Sequence, residues 1–378
     1  MSYLVIFMPA LVIWRAVWTL KVSKYCKGLL TLAVLLSAFK FQIIYALGGP
    51  MFFAPDVPGW LLLTGNALYG ILFFFFFLLA ASETVLLAWR AVVKIRRKNL
   101  PENFRVWNNR WNLVLLATAL FLSIFALYNG MKSPVVREYE FASRAVPESA
   151  DNFRIAVLAD LHIDTLTRAG RIRRIVQQTN ELKPDLVLIA GDIVDGTVEQ
   201  RKSDAAVLNE LTAPRGIYAV PGNHEYFSGY AQWMAFFKTG SIKMLENCSV
   251  ELPEKIYLAG VTDFAARKRG LAMPDVKAAV EGIAPEAFVI LLAHRPGEAA
   301  KACKLGVDLQ ISGHTHGGMI YGIDRLVGRF NDNLFSGWYT VGGDLRLYIS
   351  NGTAIWNGFP FRLGRASEIT VITLKSIK

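Results

Sequence analysis

The chain has 378 residues, of which 53% are hydrophobic and 19% charged, and its formal net charge is +11. This length accommodates two domains, and the hydrophobic fraction is high for a wholly soluble protein. Residues 1–150 contain 15 Lys and Arg against 6 Asp and Glu, whereas residues 151–378 contain 26 against 24. The excess positive charge therefore belongs to the apolar half, where it indicates membrane topology, and the near-neutral second half argues against a nucleic-acid-binding face.

Four apolar stretches dominate the first 130 residues, at about 3–20, 29–48, 60–89 and 112–128. Each meets or nearly meets the roughly 20 residues that a helix needs to cross a bilayer. We therefore predict a four-span transmembrane domain at 1–130, followed by a polar linker at 131–152 that could hold one short strand. Lys40, within the second stretch, has two explanations: pairing or snorkelling inside the helix bundle, or a role in binding a lipid headgroup.

Lysine and arginine residues in the predicted loops indicate the orientation of these helices. The loops between the first and second and between the third and fourth stretches are basic, whereas 48–59 contains neither Lys nor Arg. Because basic loops remain in the cytoplasm, the N-terminus and the chain after Tyr128 are expected on the other side. We therefore predict an integral membrane protein with an extracytoplasmic C-terminal domain; a miscounted span would reverse this orientation.

The second half alternates short apolar, β-branched runs with helix-like stretches, which is typical of an α/β domain with a largely buried sheet. The predicted strands are at 154–160, 185–192, 216–223, 256–263, 287–294 and 308–314. The predicted helices are at 168–182, 201–212, 229–239, 275–282 and 297–305. Two further strand-like runs near the C-terminus, at about 345–358 and 367–374, suggest a second sheet.

Polar clusters follow five of these strands, and they contain all five histidines of the chain. Histidines scattered through a core would not be distributed in this way, and the carboxyl ends of strands are where open α/β sheets bind ligands. The clusters hold Asp160, His162, Asp192, Asp195, Asn223, His224, His294, His314 and His316. Their mixture of imidazole nitrogen and carboxylate oxygen suits a pair of Mn²⁺, Fe or Zn²⁺ ions better than Ca²⁺.

The clusters read D-x-H, G-D-x-x-D, G-N-H-E, a lone His and G-H-x-H in chain order. These five motifs in this order resemble the signature of the calcineurin-like metallophosphoesterase superfamily. The resemblance covers about 153–378 and implies an α/β/β/α sandwich domain there. The segments ADLH, AGDIVDG, VPGNHEY, LAHRP and SGHTHGG are most similar to a bacterial membrane-associated phosphodiesterase-like branch. That similarity implies a location in a bacterial inner membrane.

The resemblance also implies a role for each cluster residue. The ligands of the first metal ion would be Asp160, His162, Asp192 and His316. Those of the second would be Asp192, Asn223, His294 and His314, with Asp192 bridging the two ions. His224 would stabilise or protonate the leaving oxygen, and Asp195 would orient His224 and favour its imidazolium form.

Two departures from the superfamily's patterns bear on the substrate. Gly196 stands where Ser/Thr protein phosphatases of the superfamily have an arginine that grips phosphate, so protein phosphatase activity is disfavoured. Met319 replaces a glutamine that many relatives have after G-H-T-H-G-G, which would change the polarity of the pocket.

These features predict a membrane-anchored dinuclear-metal phosphoesterase that hydrolyses a phosphodiester or pyrophosphate bond. The membrane tether favours an envelope lipid or a nucleotide-linked lipid as its substrate. Two alternatives remain open. One is a hydrolase of soluble nucleotides or nucleic acid, which the near-neutral second half disfavours. The other is a non-catalytic membrane sensor or scaffold.

Overall fold

The computed structural model describes residues 2–46, 57–97, 99 and 104–378. The chain divides into two compact units, with the first ending at Asn129 and the second beginning at Gly130. Most of the predicted loop at 48–59, which has neither Lys nor Arg, lies outside the described residues, as does the predicted loop residue Lys98.

The described part of the first unit is helical. Its helices are Ser2–Val12, a π-helix at Ile13–Val17, Lys24–Ala38, Lys40–Ala46, Gly59–Ile95 and Phe104–Met131. Two helices, Gly59–Ile95 and Trp107–Met131, are long and apolar enough to cross a membrane. The 37 residues of Gly59–Ile95 extend about 55 Å, so this helix exceeds the roughly 30 Å hydrocarbon core of a bilayer.

The prediction of four spans is not confirmed. The second predicted span bends by 70° between Lys24–Ala38 and Lys40–Ala46, so it is either one broken span or a re-entrant segment. The first is a short apolar helix at Val5–Val17, below the roughly 17–25 residues that a span requires. By length and composition, the described residues contain two spans, or three if the bent pair counts as one.

The second unit contains two six-stranded sheets. The strands of the first sheet, in spatial order, are β1 (Val135–Ser143), β12 (Glu368–Ser376), β2 (Arg154–Leu158), β3 (Leu186–Ile189), β4 (Ile217–Ala219) and β5 (Ile242–Met244). Those of the second are β10 (Gly337–Val341), β11 (Leu345–Ile349), β9 (Leu309–Ser312), β8 (Phe288–Leu292), β7 (Ile256–Gly260) and β6 (Cys248–Leu252). Neighbouring strands are parallel except for the pairs β12–β2, β6–β7 and β10–β11.

Alternate residues of each central strand face different layers, as the two-residue period of a strand requires. Ile155 and Val157 of β2 pack between the sheets with Ile290 of β8, whereas Ala156 and Leu158 face helices on the outer side. Helices cover the outer face of the second sheet in the same way. The unit therefore has mixed α/β architecture with its two sheets packed between helical layers.

The helices of this unit are mostly short. They are Ala169–Glu181, Val198–Ala205, Asn223–Phe227, Tyr230–Lys238, Val276–Ala279, Ala299–Cys303 and Asp324–Arg329. 3₁₀ turns occur at Glu148–Ala150, Ala206–Glu210, Phe264–Arg269, Pro296–Glu298 and His316–Gly318. Three of these helices contribute apolar side chains to the outer face of the first sheet: Ala169–Glu181, Val198–Ala205 and Tyr230–Lys238.

The segment 131–152, predicted as a linker that could hold one short strand, contains β1. This strand pairs with β12 from Val135 to Ser143 and is therefore part of the first sheet. One prediction about the second half requires correction. The second sheet is not built only from the C-terminal runs, because β7, β8 and β9 belong to it and β12 joins the first sheet instead. Buried strands of either sheet have the same continuous apolar pattern, so the sequence did not distinguish the two sheets.

Candidate metal centre

The predicted ligands lie in turns at the carboxyl ends of strands from both sheets. The turns after β2, β3 and β4 carry Asp160, His162, Asp192, Asp195, Asn223 and His224, and those after β8 and β9 carry His294, His314 and His316. Five of these residues have a positive φ, between 42° and 71°: Asp160, His162, Asp192, His314 and His316. This backbone conformation is uncommon and costly for residues other than glycine, and it is concentrated at functional sites.

Three of the ligands predicted for the first ion form one cluster. The Nε2 atoms of His162 and His316 lie 3.0 Å apart, and Nε2 of His316 lies 3.9 Å from Oδ1 of Asp160. All three side chains are buried, and one donor atom from each lies within 4.8 Å of the other two. Oδ2 of Asp192, the fourth predicted ligand, lies 3.9 Å from Nε2 of His162.

The ligands predicted for the second ion form a neighbouring cluster. Nε2 of His294 lies 3.2 Å from Oδ2 of Asp192 and 3.1 Å from Nδ1 of His314. It also lies 3.2 Å from Oδ1 of Asn223. The same oxygen of Asp192 therefore belongs to both clusters. Its other oxygen, Oδ1, accepts a hydrogen bond from the backbone N–H of His224 at 2.9 Å, so Oδ2 is left to bridge two cations.

Hydrogen bonds behind the ligands fix which ring nitrogen points into the clusters. Nδ1 of His162 donates to Oδ2 of Asp195 at 3.1 Å, and Nδ1 of His294 donates to the carbonyl of Ala190 at 2.8 Å. Each ring then presents the lone pair of Nε2 to the cluster, as metal-binding histidines do. The residues present therefore fit a metal site.

Two further observations support this fit. Two nitrogens bound side by side to one ion at about 2.1 Å stand roughly 3 Å apart, which matches the separation of the Nε2 atoms of His162 and His316. Oδ2 of Asp160 is buried without a hydrogen-bond partner. Burial raises the pKa of this carboxyl to about 6, and a cation beside Oδ2 would favour its charged form.

Asp195 connects His224 to the first cluster. Its Oδ2 accepts from His162, as described above, and its Oδ1 accepts from Nδ1 of His224. Burial lowers the pKa of the His224 imidazole, but the carboxylates of Asp192 and Asp195 outweigh it and raise the pKa to about 9. Nε2 of His224 lies 3.7 Å from Oδ2 of Asp192, close enough for His224 to serve either as a proton donor or as an additional ligand.

Glu225 has a positioning role that the ligand prediction did not include. Its side chain is completely buried, and its Oε2 accepts the backbone N–H groups of Gly222 at 2.6 Å and Asp192 at 3.1 Å. Its Oε1 accepts those of Ile193 at 2.7 Å and Val194 at 3.1 Å. Glu225 thus holds the turn that carries Asp192, and its place directly after His224 was the only signal of this role in the sequence.

Arg295 was also missed, although it directly follows His294. Its guanidinium pairs with Asp263, with Nε 2.7 Å from Oδ2. Nη1 lies 3.2 Å from Nε2 of His314, and Nη2 lies 3.2 Å from Oδ1 of Asn223. The side chain is therefore held beside two predicted ligands of the second ion, where a guanidinium is well suited to bind a phosphate oxygen.

Trp356 forms an aromatic wall beside the first cluster. Its ring centroid lies 6.1 Å from that of His316 and 6.2 Å from that of His224. Its indole Nε1 is buried and has no hydrogen-bond partner within the protein. A buried indole N–H usually has a partner, so this donor is an unsatisfied polar group beside the first cluster.

Glu225→Gln tests the support of the Asp192 turn. The amide places an N–H group among backbone donors, so we expect affinity for Mn²⁺ or Zn²⁺ to fall about 10- to 100-fold. Chelator competition with the purified protein measures the affinity. Glu181→Gln, an exposed change at the end of Ala169–Glu181, is the matched control. Equal metal affinity in the two variants would contradict the role of Glu225.

Curated relatives provide an independent comparison. A Danio rerio protein named "Transmembrane protein with metallophosphoesterase domain" is 34% identical over 276 residues, which cover 70% of this chain and 62% of that protein. A Bos taurus protein of the same name is 32% identical over 306 residues, covering 77% of this chain and 67% of that protein. An "Uncharacterized metallophosphoesterase" of Helicobacter pylori is 34% identical over 248 residues, covering 65% of each chain.

A family model described as calcineurin-like phosphoesterase matches residues 153–318, the region that contains all the predicted ligands. The chain spans 62% to 67% of the length of the three relatives. The names of the first two agree with the apolar helices found here, and all three names agree with the clusters of possible metal ligands. The chain belongs to the calcineurin-like phosphoesterase family.

Proposed function

We propose that the chain is a membrane-bound phosphoesterase that uses two divalent metal ions to hydrolyse a phosphodiester or pyrophosphate bond. The observation that carries this proposal is the sharing of Oδ2 of Asp192 between two clusters of ligands, all of them buried except the half-buried His314. Two ions bound there would activate a water molecule and neutralise charge on the phosphoryl oxygens. The complete ligand set disfavours a non-catalytic sensor or scaffold.

The chain's own residues supply the remaining steps. The proton on Nε2 of His224 is transferred to the leaving oxygen, while Asp195 holds the ring through Nδ1 and stabilises the imidazolium form. The guanidinium of Arg295 binds a phosphoryl oxygen beside the second cluster. The indole ring of Trp356 lies beside the first cluster, where it limits access of water.

We further propose that the substrate is an amphiphile. The segment after the last ligand turn exposes Tyr321, Leu326 and Phe330 at 73%, 53% and 83% of their surface. Exposed Arg325 and Arg329 alternate with them. Apolar side chains mixed with arginine are typical of surfaces that contact lipid with an anionic headgroup. This surface supports an envelope lipid or a nucleotide-linked lipid over a soluble nucleotide.

His224→Ala and Asp192→Asn separate acid catalysis from metal binding. We expect His224→Ala to retain its metal and to lose about 10²- to 10⁴-fold in turnover, the usual contribution of a general acid. Asp192→Asn is expected to lose metal as well as turnover, because it changes the bridging oxygen. Metal analysis and hydrolysis of bis(p-nitrophenyl) phosphate provide the two measurements. Equal metal loss in both variants would show that His224 is a ligand.

A substrate panel tests the proposed specificity. The full chain, purified in detergent and loaded with Mn²⁺ or Zn²⁺, is assayed against phospholipids, sugar-nucleotide lipids and cyclic nucleotides. We expect hydrolysis of an amphiphilic substrate, with Asp192→Asn as the inactive control. A preference for soluble nucleotides would contradict the lipid proposal while leaving the phosphoesterase proposal intact.

The side of the membrane is open to a direct test with native cysteines. The loop charges support an extracytoplasmic second unit if four segments cross the bilayer, and three crossings would reverse it. Cys248 is exposed in the second unit, and Cys26 lies in the first basic loop region. On the four-crossing proposal, a membrane-impermeant maleimide labels Cys248 in intact bacterial cells and Cys26 only after permeabilisation. Cys248→Ser and Cys26→Ser are the controls, and the reverse pattern would place the second unit inside.

A further inference from the structure

The bend in the first unit borders a cavity. The cavity has a volume of about 250 Å³ and lies where Lys24–Ala38 and Lys40–Ala46 approach the beginning of Gly59–Ile95. Its wall is formed mainly by apolar side chains and by Gly65. Lys40 and Asn66 are the strongly polar residues that line it. The cavity therefore combines an apolar surface with a single cationic group.

Lys40 is held in this cavity by neutral groups. Its side chain is buried, and Nζ donates to Oδ1 of Asn66 at 2.5 Å. Nζ also lies 4.5 Å from the ring centroid of Phe41 and 4.9 Å from that of Tyr69. Ring faces and an amide oxygen attract an ammonium group and orient it, but neither is a counter-charge.

The described residues of the first unit offer no carboxylate to Lys40. The acidic residue among them is Glu83, and it forms an ion pair with Arg15. A cation buried among apolar side chains without a counter-charge is destabilising by several kcal/mol. In transmembrane regions such residues usually face a partner or mark a binding site. An anion from outside the described chain would therefore bind favourably here.

The position of the cavity along the helix fits a phospholipid headgroup. Trp60 is 68% exposed and is a residue type enriched at the membrane interface. Asn66 lies six residues further along the same helix, which corresponds to about 9 Å. That depth is close to the boundary between the headgroup layer and the hydrocarbon core. A lipid phosphate at this boundary is within reach of the Lys40 side chain.

We propose that this cavity binds an anionic phospholipid, with the phosphate against Lys40 and one acyl chain along the apolar wall. Lysine binds phosphate well as a compact charge with three donors. The volume is below the roughly 300–1,000 Å³ of pockets that enclose a whole small molecule, so only one chain enters and the rest of the lipid remains in the bilayer. The site is separate from the metal centre and does not depend on the proposed function.

Competition between two lipids tests the role of the charge. The full chain, purified in detergent, is incubated with equal amounts of phosphatidylglycerol and phosphatidylcholine, and bound lipid is counted by native mass spectrometry. We expect the wild type to retain phosphatidylglycerol preferentially, and Lys40→Met to reduce this preference by roughly fivefold, the effect of one lysine near a membrane surface. Lys24→Met, an exposed change in the same bent pair of helices, should retain the preference.

A second pair of variants tests the cavity while leaving Lys40 in place. A Cβ atom added at Gly65 meets no atom within 4 Å, so Gly65→Leu places its side chain in the cavity and favours the helix. We expect this variant to lose bound phosphatidylglycerol. Gly28 is equally unobstructed but does not line the cavity, so Gly28→Leu should bind lipid as the wild type does. These two glycine variants test lipid binding in the cavity even if Lys40→Met does not fold.

The outcomes distinguish this site from the metal centre. Asp192→Asn, in which the catalytic proposal predicts loss of hydrolysis, should bind phosphatidylglycerol as the wild type does. The lipid-site proposal is overturned if the wild type shows no preference for phosphatidylglycerol over phosphatidylcholine. It is also overturned if Lys40→Met keeps the full preference, or if Gly65→Leu and Gly28→Leu bind equally well.

Discussion

Four buried carboxyl groups in one region constrain the whole second unit. Asp160, Asp192, Asp195 and Glu225 are each at most 2% exposed, and buried charges must be compensated by opposite charge or by hydrogen-bond donors. Glu225 is compensated by backbone N–H groups and Asp195 by two imidazoles. Asp160 and Asp192 each direct one oxygen to a backbone N–H and keep the other for a cation. The conformation of the ligand turns, the tautomers of His162 and His294 and the proposed chemistry all follow from this arrangement.

The two-sheet architecture explains how residues so distant in sequence meet. Parallel strands present their carboxyl ends at one edge of a sheet, and packing two such sheets face to face brings two edges together. The first sheet supplies Asp160, Asp192 and Asn223, and the second supplies His294 and His314. Each cluster contains residues from both sheets, so metal binding would also stabilise the contact between the sheets. The inter-sheet apolar core, which includes Ile155 and Ile290, fixes their spacing.

Much of the second unit could be predicted because its signals are local. Each of the six predicted strands overlaps a strand of the structure, and each ligand turn carries polar residues after an apolar run. Arg295 and Trp356 were missed, and Glu225 was not assigned its contacts, because these roles depend on residues far apart in the chain. The bend after Ala38 was missed for a different reason: hydropathy records the apolar character of a stretch and not the continuity of its backbone.

The position of β12 has a consequence for biosynthesis. This strand lies between β1 and β2, and β1 pairs with no other strand of its sheet. The first sheet therefore stays incomplete until residues 368–376 have left the ribosome, long after the apolar helices are available for membrane insertion. Contacts between segments so distant in sequence form slowly, so the nascent chain would be tethered to the bilayer while its sheet edges are still exposed. Unpaired strand edges of this kind are prone to aggregation until the last strand is in place.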